Sequence, residues 1–372
     1  MLPSRPSNGL SRRRFLARAS SGFAATAAAT LLPRALRAAP EMRRVGIVLA
    51  GLGNYATREL LPAIQESQHL KLVGVVTGSA EKGRTWAREH GFPERNVWSY
   101  AEMARLADTP EAELVYVVTP PALHAEHTIA ALRAGKHVIC EKPMAVSVAE
   151  CDQMIAAAAA ADRSLAIGYR LHFDPYHQEL IRRAREGTDG PYVAMSGGFG
   201  FTMARKVWRA ERALAGGGPL MDVGIYALHE ACLAAQANPI ALTARERPKK
   251  RPDLFVDVEE ALDWSMEFAN GARAELFTSY ADDMNRFRAE GSRGWIELDP
   301  AYSYRGLKGR THEGPLSYPL VRQQTRHLDA LALALRQGTP IPTPAALGRR
   351  DMVIVEGIYA SARTGRRVTL QY

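Results

Sequence analysis

Val45-Gly46-Ile47-Val48-Leu49-Ala50-Gly51-Leu52-Gly53-Asn54-Tyr55-Ala56 is the stretch on which the fold turns. An apolar run of strand length, from 44 to 49, ends in a glycine loop, and residues 55–67 then follow with helical spacing, Pro62 standing as an interruption. Strand, Gly-x-Gly loop and helix in that order form the context in which a pyrophosphate can be held at a helix N-terminus. Gly51 permits the tight turn, and Gly53 lets the backbone approach a phosphate. Asn54 and Tyr55 continue the loop, and Ala56 stands where a third glycine is common.

Outward from this loop the same alternation continues. Strands are expected over 70–76, 114–118, 137–140 and 165–168, with helices over 81–90, 124–134 and 148–161, the second stopped by Gly91 and the third by Gly135. Such alternation predicts a parallel sheet covered by helices on both faces. After about Tyr169 the rhythm changes. Helices are expected over 175–186 and 222–235, then strand-like runs at 241–246, 259–268, 272–280, 286–290 and 295–298, with Asn270-Gly271 as a hairpin turn. Two helices, 322–336 and 344–364, close the chain. The expected class is therefore α/β: a Rossmann dinucleotide-binding domain over 42–168, then an α+β domain over 169–372 with a mostly antiparallel open sheet.

The end of the second strand bears on the choice of nucleotide. An NAD site places an acid there for the ribose 2′-hydroxyl. Here the chain reads Val76-Thr77-Gly78-Ser79-Ala80-Glu81-Lys82-Gly83-Arg84, with Glu81 already in the helix. Hydroxyls on Thr77 and Ser79 beside the cations Lys82 and Arg84, around Gly78, suit a 2′-phosphate. The expected cofactor is NADP.

Glu141-Lys142-Pro143 ends another strand at the carboxyl edge of the sheet, where open α/β sheets bind ligands. A lysine there can hold a substrate hydroxyl and stabilise negative charge on its oxygen, with Glu141 to orient it and Pro143 to stiffen the turn.

The glycine loop, Thr119-Pro120-Pro121 with His124, and Ala134-Gly135-Lys136-His137-Val138-Ile139-Cys140-Glu141-Lys142-Pro143 together resemble the Gfo/Idh/MocA oxidoreductases over nearly the whole chain after the first 40 residues. Gly168-Tyr169-Arg170, Trp208-Arg209 and Gly216-Gly217-Gly218-Pro219-Leu220-Met221-Asp222-Val223-Gly224-Ile225-Tyr226 resemble its glucose–fructose and periplasmic aldose–aldose oxidoreductase branch. The resemblance implies an active centre of Lys142, Asp222 and Tyr226. Tyr226 would take the proton of a sugar hydroxyl while hydride leaves the same carbon. A free tyrosine has a pKa near ~10, so such a base needs a cation beside it, which Lys142 can supply. Many family members carry histidine at the position of Tyr226. The resemblance further implies cofactor contacts from Thr119, Pro120 and His124, from Tyr100 near the adenine, and from Arg170, Trp208 and Arg209 near the nicotinamide. It has Tyr304 reaching in from the sheet domain, and implies a homodimer or homotetramer. His229, three residues past Tyr226, reads as a satisfied helix residue and not as a catalyst.

Composition limits the alternatives. The 372 residues suit two domains, and 47% hydrophobic content is ordinary for a globular protein. The formal charge of +9 is mostly a property of the first 40 residues, which hold seven arginines and no acid. The remainder is close to neutral, so nucleic acid is not an expected partner. Ser11-Arg12-Arg13-Arg14-Phe15-Leu16, an alanine-rich apolar run from 19 to 32 and small residues near Ala39 read as a twin-arginine export signal over 1–39, not a stable membrane anchor. A periplasmic location is expected. Three cysteines are an odd number without zinc-ligand spacing, so neither a disulfide framework nor a metal is expected. Export combined with NADP chemistry points to a captive cofactor: one aldose oxidised at C1 to its lactone, and a second sugar reduced to an alditol. The competing readings are an aldose 1-dehydrogenase with exchangeable NADP, a nicotinamide-dependent glycosidase, and a non-catalytic sugar-binding protein.

Overall fold

A computed structural model of the protein describes residues 43–372, which form one compact unit; the export signal expected over 1–39 lies outside them. Six strands form the first sheet: β1 (Val45–Ala50), β2 (Leu70–Val76), β3 (Val97–Trp98), β4 (Leu114–Val117), β5 (His137–Cys140) and β6 (Leu165–Ile167). Their order is β3-β2-β1-β4-β5-β6, and every pairing is parallel. The order reverses between β1 and β4, which opens a crevice at their carboxyl ends. All six residues of β1 are buried, as a central parallel strand requires.

The helices between these strands are α1 (Leu61–Glu66), α2 (Ala80–His90), α3 (His124–Arg133) and α4 (Val148–Ala161). The expected helix over 55–67 is present and runs unbroken from Asn54 to Glu66; a π-helical turn, Ala56–Leu60, interrupts its α-helical hydrogen bonding just before Pro62, which lies in the first turn of α1. Gly91 caps α2 in the left-handed region at φ 72°. The 3₁₀ segment Tyr100–Asp108 and strand β3 carried no periodic signal.

The second sheet has nine strands: β7 (Tyr192–Gly200), β8 (Pro239–Glu246), β9 (Ala261–Phe268), β10 (Arg273–Ser279), β11 (Met284–Gly291), β12 (Trp295–Leu298), β13 (Gly309–Thr311), β14 (Gly314–Pro315) and β15 (Val368–Thr369). Their order is β14-β13-β12-β11-β7-β10-β9-β8-β15. All pairings are antiparallel except the central one, β7 with β10, which is parallel. The helices of this half are α5 (Pro175–Glu186), α6 (Arg212–Ala215), α7 (Ile225–Ala235), α8 (Gln323–Gln337) and α9 (Ala345–Thr364). Ten of the residues of α7 are buried, which fits a helix laid between the sheet and its neighbours. The last two helices return to the first sheet. Leu328, Leu331 and Ala332 of α8 share a core with Ile47, Leu49 and Leu72, while α9 packs on α4 and β6. Among the described residues no helix is long and apolar enough to cross a membrane, and no cluster of side chains has the makings of a metal site. Cys140, Cys151 and Cys232 are buried thiols.

Candidate active site

Beyond β1 the chain turns at Gly51 with φ +108°, and a Cβ there would stand 2.9 Å from the carbonyl oxygen of Val118. Glycine is therefore required by the approach of the β4 end. Gly53 differs: a Cβ built on it meets nothing within 4 Å. No protein atom needs that space, which leaves the backbone open to a ligand in the crevice. Ala56 is fully buried under the loop. Gly51, Gly53, Asn54 and Tyr55 all line a cleft of about 370 Å³. Tyr100, Thr119, Pro120 and His124 form its far wall, and Glu141, Lys142, Trp208, Arg209 and Tyr304 close it. Tyr100 lies flat on His127, with ring centroids 4.4 Å apart. An open glycine loop at a sheet switch point, flanked by a stacked aromatic, fits a dinucleotide.

Thr77, Gly78, Ser79, Lys82 and Arg84 do not line this cleft. The Thr77 hydroxyl accepts from the Ser79 N–H at 3.2 Å, and the Ser79 hydroxyl caps α2 by accepting from the Lys82 N–H at 3.3 Å. Lys82 reaches back to donate to the Leu52 carbonyl, which brings its ammonium to the glycine loop. Arg84 is exposed. Gly78 faces Tyr100, with a virtual Cβ 3.7 Å from that ring.

His124 is buried, and both ring nitrogens lie 2.8 Å from carbonyl oxygens, those of Pro143 and Thr119. Burial pushes its pKa down to about 4 against the pull of those carbonyls. The side chain thus pins the Thr119-Pro120 turn to the Lys142-Pro143 turn. Glu141 acts on the main chain of Lys142, not on its ammonium: one carboxylate oxygen accepts from the Lys142 N–H at 3.1 Å, the other from the Tyr116 hydroxyl at 2.6 Å. Burial raises the Glu141 pKa, although Tyr116 and Lys142 oppose this.

Lys142, Asp222 and Tyr226 meet where the cleft opens into a second cavity, which all three also line. Asp222 stands in the middle of a π-helical turn, Leu220–Gly224, and Tyr226 lies in the first turn of α7. The Lys142 ammonium donates to the main-chain carbonyl of Asp222, stands 3.7 Å from its Oδ1 and lies 4.7 Å from the Tyr226 ring centroid. Asp222 Oδ2 accepts from the Tyr280 hydroxyl at 3.0 Å and pairs with Arg209 Nε at 3.2 Å. Burial alone would raise the Asp222 pKa, but Lys142 and Arg209 outweigh it and hold the carboxyl below its ordinary value. Arg170 is placed in the wall of the second cavity, not in the glycine-loop cleft. Its guanidinium donates to the Tyr302 carbonyl at 2.5 Å and lies 4.5 Å from the Tyr304 ring and 5.1 Å from the Tyr226 ring.

Tyr280 and Glu259 belong to this centre and carried no sequence signal. Buried Glu259 accepts from the N–H groups of Gly218 and Leu220 at 2.9 and 3.1 Å and from the Tyr359 hydroxyl at 2.9 Å, so it fixes the glycine run that delivers Asp222. Its partners are 39 to 100 residues away, beyond any local pattern. His229 is a satisfied residue of α7: its Nδ1 meets Asp351 at 2.6 Å, its Nε2 meets His172 at 2.7 Å, and its ring stacks on Tyr169 at 4.0 Å.

Residues 44–169 match the family profile described as "Oxidoreductase family, NAD-binding Rossmann fold", and 177–297 match the "GFO/IDH/MocA C-terminal domain". The chain belongs to the Gfo/Idh/MocA oxidoreductases. Among solved structures of the family, aldose–aldose oxidoreductase from Caulobacter crescentus, complexed with glycerol, is 40% identical, with a TM-score of 0.85 over 88% of this chain and 100% of its own. D-xylose 1-dehydrogenase [NADP(+)] of Haloarcula marismortui is 25% identical over 343 residues, 88% of this chain and 93% of that protein. D-glucoside 3-dehydrogenase of Escherichia coli is 26% identical over 355 residues, 87% and 97% respectively. This Gfo/Idh/MocA chain is thus an oxidoreductase with a nicotinamide-nucleotide fold.

Proposed function

We propose that the protein is an NADP-dependent sugar oxidoreductase that oxidises an aldose at C1 to its lactone and reduces a second sugar to an alditol on the same captive nucleotide. The observation that carries this reading is the convergence of Lys142, Asp222 and Tyr226 at the junction of the glycine-loop cleft with a second, open cavity. The similarity to an aldose–aldose oxidoreductase over the full length of that chain supports it. NADP is favoured by the lack of an acid at the end of β2 and by Lys82 lying against the glycine loop. Export to the periplasm rests on residues 1–39, and self-association on the family resemblance.

The nicotinamide, when bound, supplies a two-electron acceptor and donor. Gly51, Gly53 and the N-terminal N–H groups of the following turn would hold its pyrophosphate. Tyr226 takes the proton of the substrate hydroxyl through its phenolic oxygen and returns it to the second sugar's carbonyl oxygen in the reverse step. The Lys142 ammonium stabilises the charge that develops on both oxygens. Asp222 is held ionised. Its Oδ2 is committed to Tyr280 and Arg209, while Oδ1, with only Lys142 at 3.7 Å, keeps lone pairs for a sugar hydroxyl.

The test is to purify the mature protein, identify the nucleotide it carries, and add an aldose without added cofactor. The expected result is bound NADP that becomes reduced and is re-oxidised by a second sugar. Protein without bound nucleotide, or a strict need for added NADP, would overturn the captive-cofactor reading in favour of an exchanging dehydrogenase.

A further inference from the structure

The second cavity, of about 850 Å³, carries more positive charge than its chemistry uses. Its walls hold Lys142, Arg170, Arg205, Arg209 and Arg305 against only two carboxylates, Glu59 and Asp222. Three of the cations are committed. Lys142 and Arg209 neutralise Asp222, and Arg170 is spent on the carbonyls of Tyr302 and Ser303 and on Gln323. The Glu59 carboxylate has its own cation, Arg322, at 3.9 Å. Arg205 and Arg305 remain. Both are exposed side chains, and neither has a carboxylate within 4.0 Å or a hydrogen-bond partner among the described residues.

These two arginines come from separate segments, the loop after β7 and the loop after β12, yet both face the cavity whose floor is Asp222 and Tyr226. Other arginines also stand without a carboxylate, but Arg205 and Arg305 are the two of these that line the cavity holding Asp222 and Tyr226. A neutral sugar hydroxyl can accept from a guanidinium but offers it no charge, and Arg305 otherwise acts only at longer range on Glu66. A carboxylate gains a charge-assisted, bidentate contact, and a cleft of one sign concentrates ligands of the other.

We propose that Arg205 and Arg305 form an anion subsite, and that the preferred substrate is a sugar acid whose carboxylate docks there while its reacting carbon lies at Tyr226. This rests on the sugar-oxidoreductase reading and narrows it. The carboxylate is a spectator in the oxidation.

The holoenzyme is compared on D-glucuronate, D-glucose and D-glucose 6-phosphate, with both dissociation constants and kcat/KM measured. Glucuronate is expected to bind about tenfold tighter than glucose, an advantage that shrinks on raising ionic strength. In Arg205→Gln and Arg305→Gln the glucuronate-to-glucose ratio falls several-fold whatever the absolute rate. Equal binding of the two sugars, or a ratio unmoved in both variants, overturns the subsite. A preference for the phosphosugar over the uronate overturns the sugar-acid assignment. If no sugar reduces the nucleotide, the proposed reaction fails; the binding ratio still decides the subsite.

Discussion

At the scale of the residue, the centre is organised around one carboxylate. Asp222 is half-buried beside two cations and a phenol, and each partner has a separable consequence. Tyr280→Phe removes a single donor from an ionised acceptor, a loss on the order of 1.5–3 kcal/mol where it is felt in full. The expected outcome is kcat/KM lower by about tenfold, with the acid limb of its pH profile moved upward because Asp222 loses part of what holds its pKa down. An acid limb that stays in place would detach Tyr280 from Asp222. Tyr226→Phe keeps the ring between Lys142 and Arg170 and removes only the oxygen. It should retain nucleotide and lose turnover by about 10²–10⁴-fold; stoichiometric nucleotide with unchanged turnover would remove Tyr226 from its role. That Lys142, Asp222 and Tyr226 would come together was expected from the family resemblance of the motifs that carry them. Tyr280 was not, because it reaches Asp222 across 58 residues and its own neighbourhood, Ser279-Tyr280-Ala281, is that of any strand end.

At the scale of the element, glycine marks close approach. The run Gly216-Gly217-Gly218, which delivers Asp222, packs against protein. A Cβ on Gly217 would lie 1.9 Å from the Tyr359 hydroxyl, and one on Gly218 would lie 2.2 Å from the Glu259 carbonyl oxygen. The first obstacle is the tip of a side chain; the second is backbone. Gly218→Ala should therefore destabilise the protein by about 1–3 kcal/mol and disturb activity, while Gly217→Ala costs less; a denaturation series ranking them in the opposite order would refute this account. Strand β7 was invisible for the related reason that Met195-Ser196-Gly197-Gly198-Phe199-Gly200 lacks the β-branched residues that identify strands. It is nonetheless central, parallel to β10 and antiparallel to β11, and a Cβ on Gly198 would strike the Phe277 carbonyl oxygen at 2.2 Å. The first sheet was legible because buried parallel strands are uninterrupted apolar runs. The second was legible only where side chains alternate, as in β9.

At the scale of the whole molecule, buried imidazoles in both halves set how stability varies with pH. His124 ties two turns of the first sheet, and His327 carries α8 onto it, stacked on Phe173. Burial lowers the first pKa to about 4 and the second to about 3, from an ordinary 6.5. Both are neutral in the fold and titrate near 6.5 when it opens, so the unfolded chain binds more protons between those values. Their contribution is complete above 6.5 and is lost as the pH falls toward 4. His177 runs the other way. Burial would lower its pKa, but the Glu230 carboxylate 2.7 Å away outweighs that, so the imidazolium contributes below 6.5 and its share is lost as the pH rises through the raised value. Asp351, held down to about 2 by Arg350 and His229 against the effect of burial, loses its contribution only below its ordinary 3.8 and so cannot account for a change at pH 5. The expected thermal midpoint thus falls between pH 6.5 and 4, before the carboxylates are protonated. His327→Gln, which removes a titrating group and keeps a polar side chain of similar size, should lower the midpoint at pH 7 and flatten its decline below 6.5. A midpoint that stays level from pH 6.5 to 4.5 in the unaltered protein, or a decline equally steep in the variant, would show that the buried imidazoles do not govern this limb.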